Sequence, residues 1–487
     1  MIRKAISLLL IALVFEFSYS LEFIFRDDPF YEEIEFLSLS SAIEMNLSDL
    51  PIRSDDLINA IENAWIDRMG KGKDFTQQEL SAINNILTRF SEKNDFIIKD
   101  NAEISIFYED SASVNFKNML YLKKNIPYGI ISADFRTTAP FENTDSTIFR
   151  MDEWKGTGSD CHNTYISFFG EDWHVLAGRI HPAWGQGIKD DIFISRKILP
   201  MDGILANVDW GRMSFSFFAV NKSEYHLSNK ATSNNAYLSA HKLSFSLPFR
   251  SKFSFKEIVL YKSNLPQLYY LNPAMFYYII QYNSHSDDNI FWSMEFANEF
   301  IRGLLVSGEL FIDDFQYEIK DFYVPNKIGI LLNAQYSPGF LENSSFYAEY
   351  CRLNTYTNTH EFTSLSYSYY KVPMSYLFGT DMDNISLGLR LRPVKNMKTS
   401  FDLSYLRKGD GELENSWESE RPDSAPSFPS GTVDKIFSVG IKAEYFILKY
   451  FSLSVDAQEL FFSGYDPEGE TAESRHFNLT GKIKVIL

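Results

Sequence analysis

Ile385-Ser386-Leu387-Gly388-Leu389-Arg390-Leu391 alternates apolar residues with small or polar ones without a break. Successive side chains of a strand point to opposite faces, so this stretch is a strand with one apolar and one polar face. The same period spreads in both directions. Thr399, Phe401, Leu403 and Tyr405 alternate with Ser400, Asp402 and Ser404, and Phe451, Leu453, Val455 and Ala457 with Ser452, Ser454, Asp456 and Gln458. Upstream, Ile290, Trp292, Met294 and Phe296 alternate with Phe291, Ser293, Glu295 and Ala297, and Leu365, Tyr367 and Tyr369 with Ser364, Ser366 and Ser368. Each of these runs is read as a strand. From about residue 100 to the end the period stays at two.

A soluble sandwich also alternates. Three features argue for a barrel in a membrane instead. The strands are about 9 to 13 residues long, near what a tilted strand needs to cross a bilayer and beyond the globular norm. Their apolar faces are rich in Phe, Tyr and Leu, and the chain holds 43 Phe and 28 Tyr, the residues of interfacial girdles. The C-terminus aligns Phe477, Leu479, Gly481, Ile483, Val485 and Leu487 on one face. It looks like the terminal strand read by the outer-membrane barrel assembly machinery, with Leu487 where an aromatic residue is usual. At about 20 residues per strand and connection, residues 97–487 make an antiparallel transmembrane β-barrel of about 18 strands. Short periplasmic turns should alternate with longer outer loops. The longest connection is read as Gly409 to Gly431, which sets Asp410, Glu412, Glu414, Glu418, Glu420 and Asp423 against Arg421 alone. It is a solvent-facing acidic loop on the cell surface.

The other end of the chain differs. Arg3 and Lys4, the apolar run Ala5 to Phe15, and Ser18 and Ser20 form a signal peptide over 1–20, too short to span a bilayer. Residues 21–96 have helical periodicity. Ile34 and Leu37, then Leu57, Ile58, Ile61 and Trp65, recur at steps of three and four. Ser54 is placed to cap a helix starting near Asp55, and Thr76-Gln77-Gln78-Glu79 is a capping box before Leu80, Ile83, Leu87 and Phe90. Three short helices bury only a thin core alone. The segment is therefore expected to dock under the barrel as a small α-helical periplasmic domain.

With 46 Lys and Arg against 64 Asp and Glu, the formal net charge is −18, which excludes a nucleic-acid binder. Outer-membrane lipids are the expected surroundings. Cys161 and Cys351 are the only cysteines, too few for a disulfide framework or a zinc site; pairing between them stays open. No Gly-x-Ser-x-Gly or His-Glu-x-x-His pattern occurs, and Ser159, Asp160 and His162 are too close in sequence to face one another as a triad. Asp190-Asp191 and Asp287-Asp288 are paired acids that could bind calcium, but such pairs in loops usually only hydrate. The chain reads as a non-enzyme without a cofactor.

Ala177-Gly178-Arg179-Ile180-His181-Pro182-Ala183-Trp184-Gly185-Gln186-Gly187, continuing through Asp190, Asp191, Ser195-Arg196 and Leu199-Pro200, resembles a motif of the capsule-assembly Wzi family. The resemblance implies an 18-stranded outer-membrane barrel acting as a surface lectin, with surface polysaccharide as partner. Two readings of the motif follow. In one, it folds a long loop into or over the barrel, with Arg179 paired to Asp190 or Asp191. In the other, Trp184 stacks on a sugar ring while Gln186, Asp190, Asp191 and Arg196 bond its hydroxyls. Trp417, in the acidic loop, is a second ligand candidate. Arg390 and Arg392 are expected to pair with Asp402 or Glu444 inside the barrel or, alternatively, to set anion selectivity. A polysaccharide-binding, envelope-assembly role is the expected function, with a porin-like channel as the alternative.

Overall fold

The computed structural model describes residues 22–486 apart from 27, 29, 46, 48, 49, 91–95, 109–111, 140–154, 223–234, 300, 317–322, 339, 340, 342, 449, 450 and 466–470. The signal peptide expected at 1–20 and the terminal Leu487 lie outside the described residues.

The alternating segments close into one antiparallel barrel of 18 strands. In chain order they are β1 (Phe96–Tyr108), β2 (Ala112–Ile126), β3 (Gly129–Ala139), β4, β5 (Trp173–Ile180) and β6 (Met201–Trp210). Then follow β7 (Met213–Asn221), β8 (Ala236–Leu247), β9 (Ser251–Lys262), β10 (Asn289–Asn298), β11 (Leu304–Asp314) and β12 (Lys327–Tyr336). The last six are β13 (Ser344–Leu353), β14 (Met382–Leu391), β15 (Met397–Lys408), β16 (Asp434–Leu448), β17 (Phe451–Tyr465) and β18 (Thr471–Ile486). β4 runs as Gly158–Cys161 and Thr164–Phe169, both paired to β3 and broken at His162 and Asn163. β18 closes the ring on β1, with Ile483 opposite Ile104.

The period of two sorts the side chains as the sequence predicts. Ile385, Leu387, Phe401, Leu403, Leu453, Val455, Met294 and Phe296 are exposed on the outer wall, while Ser386, Ser293 and Glu295 are buried on the inner face. A closed ladder leaves no unpaired edge, and an apolar outer band over a polar inner face is what an acyl environment demands. No described helix is long and apolar enough to cross a membrane; the strands do so. This is an outer-membrane barrel.

One alternating run is not a strand. Leu365, Tyr367 and Tyr369 lie in the connection 354–381, where Thr363–Leu365 forms a 3-10 turn and Ser368–Tyr369 a two-residue strand. All three side chains are buried in the luminal core rather than on the lipid face. That connection also exceeds 409–433 in length, because the supposed strand belongs to it.

Three helices precede the barrel: α1 (Tyr31–Leu39), α2 (Ser54–Gly70) and α3 (Gln77–Phe90). Ile34, Leu37, Leu57, Ile58, Ile61, Ile83 and Phe90 form their core. The capping box is present: Thr76 Oγ1 accepts from the Glu79 amide at 3.1 Å, and Glu79 Oε2 accepts from the Thr76 amide at 2.7 Å. Ser54 is not the cap of α2; it is the first helical residue, and its hydroxyl accepts from the Glu22 amide at 2.9 Å. The unit is tied to the short turns at one end of the barrel. Arg53 donates to the carbonyls of Gly170 and Glu171, both at 2.9 Å, Ser41 to Glu299 at 3.1 Å, and Thr76 to Asn343 at 3.0 Å. Arg390 and Arg392 do not pair with Asp402 or Glu444. They reach down to α1, Arg390 to Glu35 at 2.7 Å and Arg392 to Glu33 at 2.5 Å, with Lys398 2.8 Å from Glu33. Both cysteines are free thiols, Cys351 buried in the lumen and Cys161 in β4.

Candidate functional site: a luminal plug and an outer cap

Residues 181–200 leave the wall after Ile180 and rejoin it at Met201, which is paired with Ile180. An ordinary outer loop would stay in water. This one carries Trp184, Ile192, Phe193, Ile194 and Ile198, all buried in the luminal core, and Ile188, also buried. Burying that apolar surface draws the segment inward.

Many of its polar groups pair within the segment, as burial favours. Asp190 accepts from Ser195 Oγ at 2.7 Å, the Asp191 amide at 2.9 Å and the Arg196 amide at 3.0 Å. Asp191 accepts from the Gly187 amide at 2.8 Å. Arg196 donates to the carbonyls of Gly187 and Ile188 and lies 3.9 Å from Asp190 and 3.8 Å from Asp191. Burial outweighs the Arg196 charge at Asp190 and pushes its carboxyl up to about 6. The glycines of the Trp-Gly-Gln-Gly turn allow this fold by close approach: a Cβ on Gly187 would sit 1.8 Å from the Asp190 carbonyl oxygen, and one on Gly185 2.6 Å from Asp191 Oδ1.

The plug is held from the wall and from the helical unit. Glu349 of β13 accepts from the Lys189 amide at 3.1 Å, the Lys189 ammonium meets Asp402 of β15 at 2.5 Å, and Asn333 of β12 donates to the Gln186 carbonyl at 3.0 Å. From the helical side, Arg26 donates to the Gly187 carbonyl at 2.8 Å. Thus Asp190, Asp191 and Arg196 are brought together around one another, whereas Gln186 turns to Asn333 and Glu295 of the wall.

Two expectations need correction here. Trp184 has no exposed surface: Phe193 stacks at 6.4 Å, Phe218 meets it edge-on at 4.6 Å, and the Lys242 ammonium lies 5.3 Å from the ring. No face is left for a sugar. Arg179 pairs with Asp202 at 2.8 Å and Asp160 at 2.7 Å, not with Asp190 or Asp191. It ties β4, β5 and β6 of the wall together, beside the plug rather than within it.

The outer end is covered by a second layer, in which 409–433 packs onto 354–381. Asp381 accepts from the Gly411 and Ser430 amides, each at 3.0 Å, and from Ser430 Oγ at 2.6 Å. Tyr356 donates to Glu420 at 2.7 Å, Lys327 meets Glu418 at 3.4 Å, and Arg352 lies 3.6 Å over the Phe428 ring. Docked in this way, the loop still presents Asp410, Glu412, Glu414, Glu420 and Asp423 to solvent, while Trp417, in the short turn α5 (Trp417–Glu420, which follows α4 at Tyr277–Ser284), is half-buried. Phe362 and Phe378, 48% and 39% exposed, are aromatic platforms on 354–381 that the sequence reading passed over. No group of three or more potential metal ligands occurs among the described residues.

Fold and site together define a plugged outer-membrane β-barrel with an ordered surface cap. No family model matches the chain, and no curated protein does. Among solved structures it is similar to Wzi of Escherichia coli, an outer-membrane protein involved in group 1 capsule assembly and described as a carbohydrate-binding β-barrel. The TM-score is 0.66 at 12% identity, over 95% of this chain and 99% of that one. OpdK of Pseudomonas aeruginosa aligns over 81% of this chain and 98% of its own at 8% identity, with a TM-score of 0.48, too slight a likeness to carry argument. The likeness to Wzi is one of fold.

Proposed function

We propose that this chain is a non-conducting outer-membrane barrel that binds a surface polysaccharide on its outer cap and serves envelope assembly. The observation that supports it best is the occupied lumen, in which residues 181–200 pack in the luminal core and meet the helical unit at the Arg26–Gly187 contact. A porin needs an open, water-filled path, whereas a surface lectin needs only an ordered outer face. The carbohydrate-binding activity described for Wzi, which shares the fold, points the same way.

Within the cap, Phe362, Phe378 and the half-buried Trp417 serve as ring platforms, and the exposed acids accept from sugar hydroxyls. The surplus of carboxylates repels polyanions, so the favoured ligands are neutral or amine-bearing glycans. Planar-bilayer recording of the intact protein should show no large, stable conductance steps, and a glycan array should show retention of neutral polysaccharide that F362A/F378A loses. Large steps from the intact chain would restore the channel reading. Glycan binding unchanged in F362A/F378A/W417A would move the site off the cap.

A further inference from the structure

The connection 263–288, between β9 and β10, packs against the outside of the wall. Strand parity settles the side. Lys256, Ile258 and Leu260 of β9 face the lumen, where Lys256 pairs with Glu295 and Glu309 at 2.6 and 2.8 Å and the other two join the luminal core. Glu257, Val259 and Tyr261 therefore point outward. All three are nonetheless buried, Val259 and Tyr261 in a separate cluster with Tyr270 and Tyr277 of this connection and Ile290 of β10.

Beneath the connection lies a polar group that an acyl environment would not tolerate. Glu257 accepts from the Tyr277 amide at 2.9 Å, the Tyr278 amide at 3.2 Å and Trp292 Nε1 at 3.0 Å, and lies 3.2 Å from His241 Nε2. Glu257 is about midway along β9. At roughly 2.5 Å of axial rise per residue for a strand tilted about 40°, α4 reaches roughly 12 Å down the wall from the outer end of the strand. That depth falls within an apolar band about 25 Å tall.

The covering segment is built for the same medium. Between Lys262 and Asp287 it contains no Asp, Glu, Lys or Arg, in contrast to the acidic cap. Its outer side exposes Leu265 (72%), Leu268 (82%), Phe276 (58%), Ile279 (53%) and Tyr282 (70%). This surface continues the lipid-facing stripe of Met294 and Phe296 on β10. A surface of this kind in water would be a liability, and in acyl chains it is at rest.

We propose that residues 263–288 form a membrane-embedded strap, whose outward face contacts outer-leaflet acyl chains and whose inner face shields the Glu257–His241–Trp292 cluster from them. The strap is a second, non-strand layer of barrel wall. Irregular backbone at membrane depth is tolerated where protein covers its polar groups, and Glu257 takes up the first amides of α4.

The test is solvent accessibility in liposomes. Spin labels at Leu268→Cys and Tyr282→Cys, in a C161S background with Cys351 fully buried, are compared with Met294→Cys on the wall and Glu414→Cys in the cap. The strap positions should match Met294→Cys, with high oxygen accessibility and several-fold lower accessibility to a water-soluble nickel chelate than Glu414→Cys. Chelate accessibility equal to that of Glu414→Cys would overturn the proposal. Exclusion of both reagents would also overturn it, pointing to a second copy on this face. Hydroxyl-radical footprinting of the unmodified protein gives the same reading without substitution: Tyr282 should be oxidised several-fold less than Tyr128, which is 83% exposed in a short turn, and equal oxidation would sink the idea.

Discussion

Trp184 and Trp417 carry the same indole into opposite situations, and substitution separates them. Trp184→Ala removes a side chain in contact with Phe193, Phe218 and Lys242. Loss of a buried aromatic of that size costs about 3–5 kcal/mol, so the urea midpoint in detergent should fall sharply. Trp417→Ala, at a half-buried position, should move the midpoint little and weaken glycan retention instead. Gly187→Ala forces a methyl against the Asp190 carbonyl; overpacking of this order costs about 1–3 kcal/mol. It should loosen the plug while leaving the strands intact, read as new conductance fluctuations with an unchanged far-UV spectrum.

Among the elements, α1 and its basic partners form the joint between helical unit and barrel. Burial raises the Glu33 pKa, but Arg392 and Lys398 together outweigh it and hold the carboxyl down at about 2, against an ordinary 4.5. A folded state that binds its proton less readily than the unfolded one is stabilised above the ordinary pKa. That stabilisation is lost as pH falls through the folded value. Acidification from pH 4.5 towards 2 should therefore release the helical unit, detected as cleavage by pepsin within residues 54–90 while the barrel keeps its compact gel mobility. Glu33→Gln should show the same cleavage at higher pH and a flatter pH dependence. The helices were legible in the sequence because their apolar spacing and the Thr76–Glu79 box are local. Their attachment was not: Arg390 and Arg392 signal a polar face, but the choice of Glu35 and Glu33 over Asp402 and Glu444 depends on which end of the strand the helical unit meets.

For the molecule as a whole, the alternation announced the barrel because each strand separates lipid from lumen residue by residue. The same alternation misled at Leu365, Tyr367 and Tyr369, since a period of two says that two faces differ without saying what either face meets. Tyrosines that resemble a lipid girdle are here luminal packing. The Trp-Gly-Gln-Gly turn was legible as a tight bend, but its covering by Phe218 and Lys242 comes from strands distant in sequence. Unboiled protein in detergent should migrate faster than boiled protein, with a β-dominated spectrum; identical mobilities would contradict a closed 18-stranded wall.

The plug also binds early sequence to late sequence. Residues 181–200 are made before the strands that receive them, and their anchors Asn333, Glu349 and Asp402 belong to β12, β13 and β15. The helical unit is made earlier still, yet it rests on Glu299, Asn343 and Arg392. Both units thus draw part of their anchorage from the later half of the chain. A chain ending after β11 would therefore contain residues 181–200 but none of their three wall anchors, so the segment and the later strands are stabilised together or not at all.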